Sequence, residues 1–222
     1  MGKSDMNISN LYQNRFKPEE QKRKEIIWQT LCKHFFQHYI SAEDTVLDIG
    51  AGFCEFINHI ECRNKYALDI NPDIKFYADD DVTILQGSVL DIQSISDGSV
   101  DIVFASNFFE HLPDKDIFFK TLFEIKRVLR TGGKILILQP NIAVLNGRYW
   151  DFFDHHIPLT HKSVSEALVL SGFRILEVRA RFLPYTTKSF FPMNPILTRL
   201  YLLFRPLHYI IGGQAWIVGE KP

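Results

Sequence analysis

The sequence is poor in cysteine, carries no block of charge of one sign, and opens on no apolar run. Each absence removes a class of function. Cys32, Cys54 and Cys62 are an odd set without paired metal-ligand spacing, so reduced thiols are expected rather than a disulfide framework or a thiolate metal site. Lys and Arg total 25 against 26 Asp and Glu, a formal net charge of -1. A nucleic-acid-binding domain normally leaves a basic footprint, and none is present, so no nucleic-acid partner is expected. The opening MGKSDMNISN is polar, which points to a cytoplasmic chain, and Met6 stands where N-myristoylation requires Ser or Thr. A third glycine is also missing. The stretch VLDIGAGFCEF has Gly50 and Gly52, but Glu55 stands where a dinucleotide fingerprint places its last glycine.

What is present suits one α/β domain. A hydrophobic content of 46% over 222 residues is ample for a single large core, and phenylalanine, at 19, is unusually frequent. The chain divides into an N-terminal arm and helix (1–40), a core (41–180), an insert or lid (181–213) and a last strand (214–222). Residues 1 to about 17 are polar. From Lys17 a helical pattern begins at Pro18 and repeats through Ile27, Leu31, Phe35 and Tyr39. Short apolar runs then recur as strands: TVLD from Thr45, KYALD from Lys65, VTILQ from Val82, DIVFAS from Asp101, KILIL from Lys134, RILEVR from Arg174 and the final AWIVGE. Helices are expected at Phe53–Ile60, Lys115–Leu129 (ended by Gly132-Gly133) and Ser163–Leu170. Apolar strands alternating with helices imply a Rossmann-like, mostly parallel sheet of seven strands with helices on both faces, the last strand antiparallel.

In such a sheet ligands bind beyond the carboxyl ends of the strands, where strand order switches. Gly50 and Gly52 end the first strand, and Asp69 ends the second about twenty residues later, where a carboxylate can accept from ribose hydroxyls. Asp48 precedes the glycines, and further polar clusters end the third and fourth strands at Gly87-Ser88 and SNFFEHLPD. A carboxylate at Glu55 would repel pyrophosphate. S-adenosylmethionine has no phosphate, and its ammonium and sulfonium tolerate neighbouring acids.

On these residues the chain resembles the class I S-adenosylmethionine-dependent methyltransferases of the small-molecule type. VLDIGAG matches the D/E-x-G-x-G motif of that family, and ALDINPD resembles its acidic second-strand motif. VDIVFASNFFEHLPD and EIKRVLRTGGKILILQPN resemble its fourth- and fifth-strand regions. The resemblance covers roughly Asp44 to Val178. It implies S-adenosyl-L-methionine as cofactor, with Gly50 and Gly52 along the methionine moiety and Asp48 near its amino group. Asp69 would hold the ribose hydroxyls, Ile70 would lie against adenine, Ser88 and Val89 at the adenine edge, and Asn107 near the methionine end. Many relatives carry Asp where this chain has Ser88. The segment after Asn71 is short, so the second covering helix is expected to shrink to a turn.

Methyl transfer is an in-line displacement that needs an aligned nucleophile, and a base where the nucleophile is a hydroxyl. His111 follows the fourth strand at the cofactor edge, with Glu110-His111 also readable as a loop-fixing pair. The stretch NGRYWDFFDHHIPLTHKS follows the fifth strand. It offers Tyr149, Trp150, Phe152 and Phe153 as acceptor-pocket walls, His155 or His156 as base, and Thr160 as a helix N-cap. The histidines of this stretch do not lie at a familiar ligand interval, and no metal is expected. The aromatic, proline-rich insert has four open readings: a lid over an apolar acceptor, a homodimer surface, a peripheral membrane contact, or a helix packed on the sheet edge. Arg199 and Arg205 interrupt its apolar run, which argues against a spanning helix. The expected activity is methylation, at oxygen, of an apolar, sugar-containing or lipid-linked small molecule. A non-catalytic binding subunit and a nicotinamide-dependent oxidoreductase are the alternatives.

Overall fold

A computed structural model describes residues 18–185 and 194–222, and only the backbone of 18–23. The polar arm expected before residue 18, and the part of the insert between Tyr185 and Asn194, lie outside the described residues.

Seven strands form one sheet: β1 (Thr45–Ile49), β2 (Asn64–Asp69), β3 (Val82–Gln86), β4 (Val100–Ser106), β5 (Leu129–Pro140), β6 (Arg174–Arg179) and β7 (Gln214–Glu220). Their order is β3-β2-β1-β4-β5-β7-β6. The first five pair in parallel, and β7 runs antiparallel between β5 and β6. The order reverses between β1 and β4, so the switch point lies at the end of β1, beside the glycine turn.

Among the described residues six helices accompany the sheet: α1 (Pro18–His34), α2 (Lys115–Val128), α3 (Ile142–Leu145), α4 (His161–Leu170), α5 (Pro195–Leu203) and α6 (Arg205–Ile211). Because side chains alternate along a strand, each central strand feeds two cores. Leu47, Ile49, Val103, Ala105, Ile135 and Ile137 face α2 and α4. Val46, Ile102, Phe104, Leu136, Leu138 and Trp216 face α1 and the insert. That second core absorbs much of the phenylalanine. Phe35, Phe36, Phe56, Phe104 and Phe182 pack with Trp28 and Trp216, with Phe56 and Phe104 stacked at a centroid separation of 3.6 Å. Each buried aromatic of this kind contributes roughly 1.5–3 kcal/mol of apolar burial.

Local chemistry sets the ends of the helices. Asp114 caps α2 by accepting from the Ile117 N–H at 2.8 Å, and Thr160 caps α4 in a reciprocal capping box with Ser163. Two expectations are corrected. Phe53–Ile60 holds only the turn Ile57–His59, because Cys54 adopts a left-handed φ of 59° that interrupts a helix. Gly132 and Gly133 do not end α2, which stops at Val128. They lie inside β5, where the register with β4 shifts between Val100 and Ile102. A Cβ at Gly133 would stand 2.9 Å from the Arg130 carbonyl oxygen, so the irregularity needs glycine. The described part of the insert forms two short helices: Phe204 leaves the helical region at ψ 80°, and Pro206 stands in the first turn of α6. After Asn71 the covering helix is reduced to the single turn Pro72–Phe76.

No helix among the described residues is long and apolar enough to cross a membrane.

Candidate active site

The turn after β1 is tied to the end of β2. The Gly50 and Ala51 N–H groups both donate to the Leu68 carbonyl oxygen, at 2.8 and 3.1 Å. The Gly52 N–H donates to Asp69 Oδ2 at 2.8 Å, and the Asn71 N–H to Asp69 Oδ1 at 2.8 Å. Asp69 thus shapes the glycine turn as well as lining it. Each of its oxygens keeps a second lone pair for a ligand hydroxyl. Gly50 and Gly52 have φ of 65° and 55°, which L side chains adopt reluctantly.

Acidic groups crowd this end. Asp48 is buried, and burial, then the charges of Asp69 and Glu55, push its carboxyl well above the usual carboxylate range. Asp69 is also raised by burial, with the Asn71 and Gly52 N–H groups pulling the other way. Glu55 is bridged by Lys24 of α1 at 2.8 Å. A cation between these carboxylates relieves both desolvation and repulsion, whereas a pyrophosphate would add to the repulsion.

This arrangement fixes a pH dependence. In the unfolded chain these carboxyls ionise near pH 4, and in the folded chain they hold their protons to higher pH. The folded state therefore binds more protons above pH ~4, so stability falls as pH rises through the folded values. The ligand-free protein is expected to melt at lower temperature as pH rises above ~4 towards neutrality, and a bound cation to reverse the loss most at the high end. Calorimetric melts across that range, with and without ligand, measure both.

At the end of β4, Asn107 takes a left-handed φ of 48° and is clamped twice: its N–H donates to the Leu138 carbonyl at 2.9 Å, and Gln214 Nε2 donates to its Oδ1 at 3.0 Å. Next to it, Glu110 is fully buried, and its Oε2 accepts from Gln139 Nε2 at 3.0 Å. The Glu110 carbonyl accepts from the His156 N–H at 2.8 Å, joining the loop after β5 to the end of β4. His111 Nδ1 lies 2.9 Å from the Asp154 carbonyl oxygen, and the His155 ring is held between Phe152 and Tyr149.

These groups surround one cavity of about 980 Å³ along the carboxyl edge of the sheet. Its volume lies at the upper end for small-molecule sites, enough for two molecules to meet. Asp48, Gly50, Gly52, Asp69, Ile70, Ser88, Val89 and Asn107 line it, as do His111, His155 and His156. Ile70 is exposed at 56%, an apolar side chain turned to the cavity rather than to the core. Tyr149, Trp150 and Phe153 are outside the lining: Tyr149 is fully buried with its hydroxyl on the Ile157 carbonyl, and Trp150 and Phe153 face solvent. Phe152 lines the cavity in their place. Leu183 and Tyr185, and Tyr201 of α5, bring the insert onto the opposite wall, as its lid reading expects; sequence reasoning missed the rest of that wall, built by Trp28 and Leu31 of α1. The apolar spacing of α1 is its only local signal. A smaller hollow of about 320 Å³, near Asp44, Asp101 and Arg130, lies at the amino edge, where this architecture places no ligand. The three cysteines are free. Cys32 and Cys54 are buried with thiols raised by burial, and Cys62 is raised to about 11, so all three are protonated and unreactive at neutral pH.

Comparison with known proteins agrees with the geometry. Residues 47–137 match the methyltransferase domain family. An uncharacterised protein of Methanocaldococcus jannaschii is 28% identical over 167 residues, covering 73% of this chain and 68% of that one. Among solved structures, an S-adenosylmethionine-dependent methyltransferase from Archaeoglobus fulgidus superposes with a TM-score of 0.67 at 21% identity, covering 98% and 100% of the two chains. A chain of the complex between the Haloferax volcanii Trm112 methyltransferase activator and a methyltransferase gives 0.64 at 21% identity, covering 92% and 95%. Residues 47–137 thus resemble the methyltransferase domain family, and the chain as a whole has the fold of S-adenosylmethionine-dependent methyltransferases.

Proposed function

We propose that the protein transfers the methyl group of S-adenosylmethionine to an oxygen of a small, largely apolar acceptor. The observation that carries this reading is the division of one continuous cavity. Carboxylates and positive-φ glycines occupy one end, and a buried acid with three histidines occupies the other. Asp69 would accept from the ribose hydroxyls and Asp48 would face the ammonium. Ile70 and Val89 would cover adenine, and Asn107, held by Gln214, would mark the methionine end.

The acceptor would lie between Phe152, Tyr185, Leu183 and Trp28, a mostly apolar surround that selects against strongly hydrated molecules. In the transfer step the acceptor hydroxyl gives its proton to a histidine or to water. Its lone pair forms the new C–O bond as the C–S bond breaks, and sulfur keeps that bonding pair, leaving S-adenosylhomocysteine. The protein supplies alignment and exclusion of water. His156, exposed at the cavity rim, is our candidate for the proton acceptor. His156→Ala is expected to lower turnover by about 100-fold or more without changing cofactor affinity. The test is calorimetric titration with S-adenosylmethionine, then a methyl-transfer screen over phenolic, glycosidic and prenyl-linked alcohols. An acceptor methylated only at nitrogen or carbon would contradict the oxygen assignment.

The insert supports a lipid-linked acceptor delivered at a membrane surface. Ile196, Leu200, Leu203, Phe204 and Ile210 are exposed together on α5 and α6, with Arg199 and Arg205 beside them, while Thr198 and Tyr201 of the same helix line the cavity. Flotation with phosphatidylglycerol-containing vesicles is expected to carry the protein, and Leu203→Glu with Phe204→Glu to abolish it. Concentration-dependent dimerisation without flotation would assign the surface to a second copy instead.

A further inference from the structure

We propose that Glu110, His111 and His155 form a binding site for a divalent transition-metal ion at the acceptor end of the cavity. The inference rests on the methyl-transfer reading for its use, and on the geometry alone for its existence. The three residues offer one carboxylate oxygen and two imidazole nitrogens, all within 4.8 Å of one another. They come from two loops, after β4 and after β5, and so form no recognisable sequence interval. All three line the cavity.

Glu110 supplies the second observation. Its residue is 0% exposed, and while Oε2 accepts from Gln139, Oε1 has no hydrogen-bond partner. Its nearest ionic neighbour is His111 Nε2 at 3.9 Å, beyond hydrogen-bond reach. A buried carboxylate oxygen without a partner is costly, and a cation satisfies it directly. His111 can be arranged as ligating histidines are: Nδ1 sits 2.9 Å from the Asp154 carbonyl oxygen, and in the tautomer whose Nδ1–H donates to that oxygen the Nε2 lone pair is left on the side of Glu110. The His155 ring lies 5.1 Å from the His111 ring, packed in place by Phe152. Metal–ligand bonds of about 2.0–2.2 Å require ligand atoms roughly 3–3.4 Å apart, so binding needs the set to contract by about 1 Å.

Two imidazoles and one carboxylate favour Zn²⁺, Mn²⁺, Fe²⁺ or Co²⁺ over Mg²⁺ or Ca²⁺, and leave coordination positions open. An acceptor oxygen in an open position would ionise more readily, because a Lewis acid lowers the pKa of a coordinated hydroxyl. His156 then takes the released proton.

The test uses the full chain, stripped with chelator and titrated with Co²⁺ and Zn²⁺. Visible absorption bands report Co²⁺ coordination, and calorimetry with S-adenosylhomocysteine is run on the same samples. Saturation at one ion per chain is expected, with affinity falling at least about 10-fold in Glu110→Gln and in His155→Ala while S-adenosylhomocysteine still binds. Should Glu110→Gln fail to fold, His155→Ala and His111→Ala decide. No ion uptake by protein that binds S-adenosylhomocysteine would overturn the site, as would uptake unchanged in the variants. Ion uptake without cofactor binding would instead leave the site standing and overturn the methyl-transfer reading.

Discussion

Asp69→Ala is expected to weaken S-adenosylmethionine binding by about 100-fold. Hydrogen bonds to a charged acceptor are worth about 1.5–3 kcal/mol each, and the carboxylate has lone pairs for both ribose hydroxyls. The loss reaches beyond direct contact, because the same carboxylate accepts from the Gly52 and Asn71 N–H groups. Without it the turn after β1 keeps only its backbone ties to Leu68 at the end of β2, and two backbone donors lose their partners. Asp69→Asn separates the effects. Its single carbonyl oxygen can serve only one of the two N–H groups, so binding is expected to fall between wild type and alanine. Calorimetric titration with S-adenosylhomocysteine measures both variants, and wild-type affinity in Asp69→Ala would contradict the ribose role.

Gly50→Ala is expected to cost about 2–3 kcal/mol of stability and to abolish measurable cofactor binding. Two causes add. At a φ of 65° an L side chain is strained, by about 1–2 kcal/mol. The new Cβ would also stand 2.4 Å from Phe108 Cδ2, so the ring must move. Phe108 lines the cavity, and its displacement intrudes on the space a ligand would take. Gly147 provides the control. Its φ is 88°, but a Cβ there meets nothing within 4 Å. Gly147→Ala should therefore cost only the backbone strain. Urea denaturation of the two variants isolates the contribution of Phe108, and equal costs would mean that the ring yields freely.

The architecture was legible because each central strand is a short apolar run and each polar cluster falls at a strand's carboxyl end. What local pattern could not supply were features set by contacts distant in sequence. Gly132-Gly133 reads as a helix stop, yet its purpose is a bulge against Asp101, more than thirty residues earlier. Cys54 reads as the start of a helix, yet its left-handed φ breaks one. The aromatic run 149–153 suggests a pocket wall throughout, but a turn at Arg148–Asp151 sends successive side chains in different directions, so only Phe152 lines the cavity. Glu110 shows the same limit at the site. Beside His111 it resembles a loop-fixing acid, and only the packed structure reveals a carboxylate oxygen buried without a partner. The proposed cofactor half of the cavity is built at the carboxyl ends of β1 to β4, each readable as a polar cluster after an apolar run. The acceptor half is assembled from α1, the loops after β4 and β5, and the insert.

The central claim is that the acidic glycine turn receives a cationic, phosphate-free cofactor. Calorimetric titration of the full chain with S-adenosylmethionine, in two buffers of different ionisation enthalpy, tests it most directly, with NADH titrated in parallel. The predicted result is saturable binding of one S-adenosylmethionine per chain with net proton release, as Asp48 and Asp69 give up protons that burial had held, and no heat from NADH. Absence of S-adenosylmethionine binding, or saturable binding of NADH, would contradict it.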